Sequence, residues 1–191
     1  ARYLIAHKRS VAIVDNNENN VNKALSEGIN SFTANIFTEE MADNFELLDM
    51  GYLVALTAND SVNDFAVKKY QKIFGERGTY RVMTPEEMKL EKATLPNGLF
   101  SYTDDYLNLS EVARDYPEIL ETPVKDINEL ERCVDRMTLQ KHIIPLFIRS
   151  GNDIQVLPRD VSKLTVVPGT VLVYMGQTFA PEDKPSLTEL A

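Results

Sequence analysis

The chain has 191 residues, 43% of them hydrophobic and 26% charged, with a net charge of −9. That apolar content is enough for a core, and so acidic a chain repels phosphate backbones, which excludes nucleic acid as a partner. The single cysteine, Cys133, rules out an internal disulfide, and no apolar run approaches the ~20 residues of a membrane-spanning helix.

The acidity is not confined to a tail. Residues 1–86 carry 9 basic and 12 acidic groups and the remainder carry 11 and 17, so the excess reads as a solvated surface. Ala1 to Arg9 reads as the back half of a helix. Ser10 to Asp15 is a β-branched run and predicts a buried strand. Glu18 to Glu27 predicts a helix with Val21, Ala24 and Leu25 on one face, followed by Gly28 at the C-cap. Ile29 to Phe37 predicts the next strand. Thr38, with Glu39 and Glu40 in the first turn, predicts a helix running to about Met50.

Tyr52 to Thr57 predicts a third buried strand. A helix capped by Asn59 or Asp60 follows, reaching Phe74 before Gly75. Thr79 to Met83 predicts a fourth strand, and Thr84-Pro85-Glu86-Glu87 is a capping box with proline at the first helical position, which predicts a further helix. Strands alternating with helices imply right-handed β-α-β units and a parallel sheet.

The second half changes character. Pro96-Asn97-Gly98 reads as a turn, Ser110 to Tyr116 as a short helix stopped by Pro117, and Glu118 to Val124 as a strand. Asp126 and Glu129 form a second capping box, for a helix reaching about Met137. Three strands follow, at His142–Ile148, Ile154–Leu157 and Thr170–Tyr174, with Ser150-Gly151-Asn152-Asp153 as a hairpin turn. The expected organisation is a Rossmann-like α/β domain over 1–93, lacking its first strand and glycine loop, then a small α+β module over 94–179 and a loose tail over 180–191.

Catalytic motifs are absent. There is no glycine-rich phosphate loop and no G-x-S-x-G elbow. His7 and His142 stand apart, outside any metal-ligand spacing, and read as structural. Cys133 reads as a small buried hydrophobe. Asp15 to Asn20 imitates the start of a calcium loop, but Asn20 stands where glycine is needed and Ser26 where a bidentate glutamate is needed. No metal site and no catalytic residue is expected.

Asp15 ends the first strand of this sequence. In dinucleotide folds an acidic residue at such a strand end accepts hydrogen bonds from ribose hydroxyls. With "VAIVDNNENNVNKALSEGINSFTANIFTEEM" and "LVALTANDSVNDFAVKKY", the chain resembles the regulator-of-potassium-conductance (TrkA-type) nucleotide-binding family. The version it resembles is the one appended to bacterial sodium (potassium):proton antiporters. "EILETPVKDINELERCVDRM", "IIPLFIRSGNDIQVLP" and "VVPGTVLVYMG" resemble the small C-terminal module of that family.

The resemblance implies a cytoplasmic regulatory region, not an enzyme, that senses a nucleotide or ion and modulates a monovalent cation:proton antiporter. It implies that Asp15 holds the adenosine ribose, that Asn35 contacts the adenine side, and that Thr57, Asn59 and Asp60 line the cleft with Asn63 behind them. NAD or an adenine nucleotide is the implied cofactor. The implied partners are a membrane transport domain of the same polypeptide and a second copy in a homodimer, at the cytoplasmic face of the membrane. Plain helix capping is the competing account of Asn35 and Asp60.

Two departures follow from the residues. Without the glycine loop the pyrophosphate has no cradle. Without the first strand, which is central in this topology, the Asp15 and Thr57 strands present unpaired edges. Two other functions therefore stand beside the regulatory one. The first is the cofactor domain of a nicotinamide-dependent oxidoreductase, for which a Tyr-Lys proton donor, Tyr70 with Lys69 or Lys72, is available only on a helix expected to pack on the sheet. The second is a scaffold that keeps the fold without the ligand.

Overall fold

The computed structural model describes residues 1–38, 50–75, 78–90, 98–99 and 105–180. Helix α1 spans Arg2–Ala6. It stops where Lys8 turns left-handed (φ 61°) and the Arg9 amide donates back to the Leu4 carbonyl at 2.9 Å, closing the carbonyl end. Strand β1 (Ala12–Asp15) leads into α2 (Glu18–Ser26), whose first turn is capped by Asn17 accepting from the Asn19 amide. Gly28, at φ 75°, supplies the exit turn. β2 (Asn30–Thr33) then pairs in parallel with β1, Ala12 opposite Asn30 and Asp15 opposite Thr33.

The strand expected to reach Phe37 ends at Thr33. Asn35 folds the chain into a turn, its side chain accepting from the Phe37 amide and its carbonyl from the Thr38 amide. The helix expected from Thr38 to Met50 falls mostly on 39–49, outside the described residues.

β3 (Leu53–Ala55) is followed by α3 (Asp60–Phe74), capped by Asn59, which accepts from the Val62 amide. β4 (Thr79–Val82) lies parallel to β3, and the two-residue β5 (Gly98–Leu99) lies parallel to β4. The parallel α/β pattern is thus present, with a break: β1 and β2 form one sheet and β3, β4 and β5 another. Parallel strands normally lie buried on both faces. Here all four residues of β1, and Leu53 and Val54 of β3, are only half-buried. Tyr70 of α3, 1% exposed, packs against both Val14 of β1 and Leu53 of β3 and joins the two sheets.

The helix expected after Thr84 is corrected to a single 3₁₀ turn, Glu87–Lys89, ending in the extended Leu90. The capping box does form: the Glu87 amide donates to Thr84 Oγ1 and the Thr84 amide to the Glu87 carboxylate. Propagation fails because Arg159, from far along the chain, takes the Glu87, Met88 and Leu90 carbonyls (3.3, 2.8 and 2.7 Å). A continuing helix needs such carbonyls as acceptors.

The second half is one antiparallel sheet in the order β6-β9-β7-β8, built from β6 (Ile119–Pro123), β7 (Ile143–Ser150), β8 (Asp153–Val156) and β9 (Thr170–Gly176). Helix α4 (Asp105–Asp115) starts well before the expected Ser110, and α5 (Ile127–Thr138) is capped by Asp126. On one face Leu130, Cys133, Val134 and Met137 of α5 pack against Ile143, Ile148, Leu172 and Tyr174. On the other, Val112 of α4 packs against Ile144, Leu146 and Met175.

β7 serves both faces by alternation, Ile143 toward α5 and Ile144 toward α4, and a bulge between Pro145 and Phe147 then shifts its phase, returning Ile148 to the α5 side. Each fully buried aliphatic side chain here contributes about 1.5–3 kcal/mol. Gly176 closes β9 at φ 131°, where any Cβ would stand 2.0 Å from the His142 carbonyl oxygen, so only glycine fits.

Candidate functional site

Asp15 sits at the carboxyl end of β1, at the mouth of the α2 turn. Its carboxylate already accepts from the Asn17 amide (Oδ1, 2.8 Å) and from Asn20 Nδ2 (Oδ2, 2.9 Å). The run of asparagines after this strand thus shapes the loop around the acid. Each carboxylate oxygen retains a second lone pair, so a ribose diol can still be accepted from the solvent side. Asn35 stands close by, since the Ala34 amide donates to the Asp15 carbonyl at 3.1 Å. Its side chain is exposed and holds its own turn.

Thr57 and Asn59 follow the carboxyl end of β3. Asn63, 0% exposed, fixes this corner as a strand partner would. Its Oδ1 accepts from the Thr57 amide (3.0 Å) and hydroxyl (2.8 Å), and its Nδ2 donates to the Thr57 carbonyl (2.9 Å). Asn63 therefore positions the loop from behind and offers nothing to a ligand. The Asn59 carboxamide oxygen caps α3 at Val62. Asp60 stands exposed in the first helical turn, with its charge acting on Arg81.

The sequence candidates thus form two groups, Asp15 with Asn35 and Thr57 with Asn59 and Asp60. α3 spans the gap between them. Phe37 packs on Phe65 with ring centroids 4.8 Å apart, Lys69 Nζ donates to the Ile36 carbonyl at 3.1 Å, and Tyr70 fills the space below. Both groups lie at the carboxyl ends of parallel strands, where ligands bind in open α/β sheets. The residues fit the ribose end of a nucleotide. Among the described residues no glycine-rich turn cradles a pyrophosphate.

Tyr70 is packed on the strands, as its place on the α3 helix predicts. With 1% exposure it is a core residue and cannot reach a substrate, which removes the proton donor of the oxidoreductase reading. Both histidines serve local structure: His7 Nδ1 lies 2.8 Å from the Tyr3 carbonyl oxygen, and the His142 ring meets Tyr116 at 5.2 Å. Burial pushes the Cys133 thiol above its ordinary range, in keeping with an inert core position.

Sequence reasoning missed two charged clusters. In the first, Arg81 of β4 binds Glu87 through both terminal nitrogens and Asp64 of α3 through Nε at 2.8 Å. The Arg81 hydrogen bonds hold the Glu87 carboxyl below its ordinary range. The signal was available in part, because Glu87 was already placed in a capping box. In the second, Tyr3 donates to Glu121, which also receives Arg149 Nη2 at 2.7 Å. Burial, then the Glu121 hydrogen bond, pushes Tyr3 up to about 12. Burial raises Glu121, and the bonds from Arg149 and Tyr3 outweigh it, leaving the carboxyl below its ordinary range. No local pattern links residues this far apart.

No curated protein matches the chain. A family model does: residues 1–94, which hold both groups of strand-end residues, match the TrkA-N domain.

Proposed function

We propose that this chain is a ligand-sensing regulatory region rather than an enzyme, acting at the cytoplasmic face of a membrane on a monovalent cation:proton antiporter. The observation that carries this reading is the TrkA-N match over residues 1–94, with Asp15 at the carboxyl end of the β1 strand it covers. In this reading a nucleotide, NAD or another adenine nucleotide, lies across the strand ends. Asp15 accepts from the ribose, Asn35 meets the adenine side, and Thr57, Asn59 and Asp60 line the opposite wall.

The sheet of β6 to β9 forms the second module, with the division after β5, which pairs with β4 of the first half, and it relays occupancy to a transport domain of the same polypeptide and to a second copy. A ligand biases such a system only by its differential affinity for two states. The antiporter context and the homodimer rest on the resemblance of both halves to that family.

The test is titration of the chain with NAD⁺, NADH, ATP and ADP, followed by thermal unfolding. A saturable upward shift in Tm for at least one of them, lost in Asp15→Ala, supports the reading. No shift with any of the four would overturn it.

One observation favours a second reading, a fold retained without the ligand. Asp15 already has a partner on each oxygen, and the two strands flanking the cleft do not pair. That reading expects Asp15→Ala to alter stability alone, with no nucleotide response to lose.

A further inference from the structure

The two halves of the molecule meet at an apolar seam and at one unusual polar contact. Tyr80 and Leu99 of the parallel sheet bury against Val156 of β8. Beside them Arg159, which follows β8 and is 8% exposed, reaches across to the 3₁₀ turn. Its guanidinium holds three backbone carbonyls, those of Glu87, Met88 and Leu90. Its Nε is buried with no partner, and among the described residues no carboxylate pairs with it. A buried guanidinium compensated only by carbonyl dipoles, with one donor unmet, is held less firmly than a paired one. This contact is the seam's weak point.

The turn that Arg159 grips is itself held from the other side. Glu87 is bound through both oxygens by Arg81, and Arg81 Nε is bound by Asp64. Asp64 follows Asn63, the residue that fixes Thr57 at the end of β3, and Ala55 pairs with Arg81 in register. A continuous chain of charged and hydrogen-bonded groups therefore runs from the Thr57–Asp60 corner through Asp64, Arg81 and Glu87 to Arg159.

We propose that Arg81 and Arg159 are positioning residues of a relay, so that a displacement of the α3 start at the Thr57–Asp60 corner loosens or tightens the Arg159 clamp on residues 87–90 and thereby the docking of the second sheet. This rests on the reading of that corner as part of the ligand cleft. Arg81 is rigidly paired at both ends and transmits the displacement. Arg159 lacks a counter-charge and yields to it.

The experiment has two arms. In the first, Asp64→Ala, Arg159→Gln and the double variant are unfolded in urea. No hydrogen bond or ion pair joins Asp64 to Arg159 directly, so unconnected sites would show additive effects. The relay predicts that the unfolding constant of the double variant differs from the product of the single effects by about fivefold or more. Additive effects would overturn the relay. If Arg159→Gln does not fold, Arg159→Lys, which keeps the charge and loses the fork, takes its place in the cycle.

In the second arm, amide exchange at residues 157–163 is followed as NAD⁺ or ATP is added. A change in wild type that disappears in Asp64→Ala, with nucleotide binding retained, supports the relay. An unchanged response in that variant counts against it. A non-additive cycle with no nucleotide response upholds the relay and removes the nucleotide reading. Nucleotide binding with an additive cycle does the reverse.

Discussion

The antiparallel sheet of residues 119–176 and the two parallel sheets of residues 12–99 are built from similar apolar strands, and their strands are buried to different degrees. In the antiparallel sheet β9 runs between β6 and β7, and Leu172 and Val173 are 0% exposed. In the parallel half no residue of β1 is fully buried, although the strand is as β-branched as β9. The difference lies in pairing and cover. The antiparallel strands have helices α4 and α5 on both faces, while β1 and β3 each find a strand partner on one side among the described residues. Apolar sequence makes a strand buriable, and neighbours on both edges bury it. Stability is therefore concentrated in the second half, and the capacity to rearrange in the first.

The largest break in this contrast is expected from Leu172→Ala. It empties a fully buried site between β9 and α5 and costs about 4 kcal/mol, read as a drop in the urea midpoint for the whole chain. Tyr70→Ala comes next at about 3 kcal/mol. Its mark is local: because Tyr70 joins β1 to β3, amide exchange should accelerate in 12–33 while 143–176 keeps its protection.

Glu87→Gln should cost about 1–2 kcal/mol, since it leaves the partly buried Arg81 with Asp64 as its remaining salt-bridge partner; thermal unfolding measures it. Leu139, 76% exposed, sets the floor, and Leu139→Ser should fall within about 0.5 kcal/mol of wild type.

Acid acts on both charged clusters, whereas alkali acts on the second through Tyr3. Glu87 and Glu121 are held below their ordinary range, so their contribution is complete above the unfolded carboxyl pKa and is lost as pH falls through the folded values. Tyr3 is pushed up to about 12 from 10.0, so its contribution is complete below 10.0 and is lost as pH rises toward 12. The expected result is a stability plateau with an acid limb that is reduced in Glu87→Gln. The alkaline limb should be reduced in Tyr3→Phe.

Local chemistry was legible in the sequence and distant chemistry was not. Asn59, Asp126 and the Thr84–Glu87 box each name their own partners within three residues, and all three form as expected. The hairpin at Gly151-Asn152 did too, with Ser150 opposite Asp153. The failures share one cause. The helix after Thr84 collapsed to one turn because Arg159 arrives from the other half. β5 is two residues long and exists through its pairing with β4. The bulge in β7 answers to two helices, one of which, α4, is separated from it by β6 and α5.

The candidate cleft divides in the same way. That Asp15 ends a strand and that Thr57 and Asn59 follow one could be read from the residues. The occupancy of both Asp15 oxygens by Asn17 and Asn20 could not, because asparagine in a loop has too many available partners.

The strand order β6-β9-β7-β8 also governs how the chain finds this sheet. β7 and β8 are joined by a tight turn and can zip within microseconds, whereas β6 must wait for β9, its partner from the far side of α5 and the hairpin. The β7–β8 hairpin is thus the natural nucleus and β6 the last strand to dock. Substitutions at Ile154 should slow refolding, whereas those at Leu120 should mainly hasten unfolding.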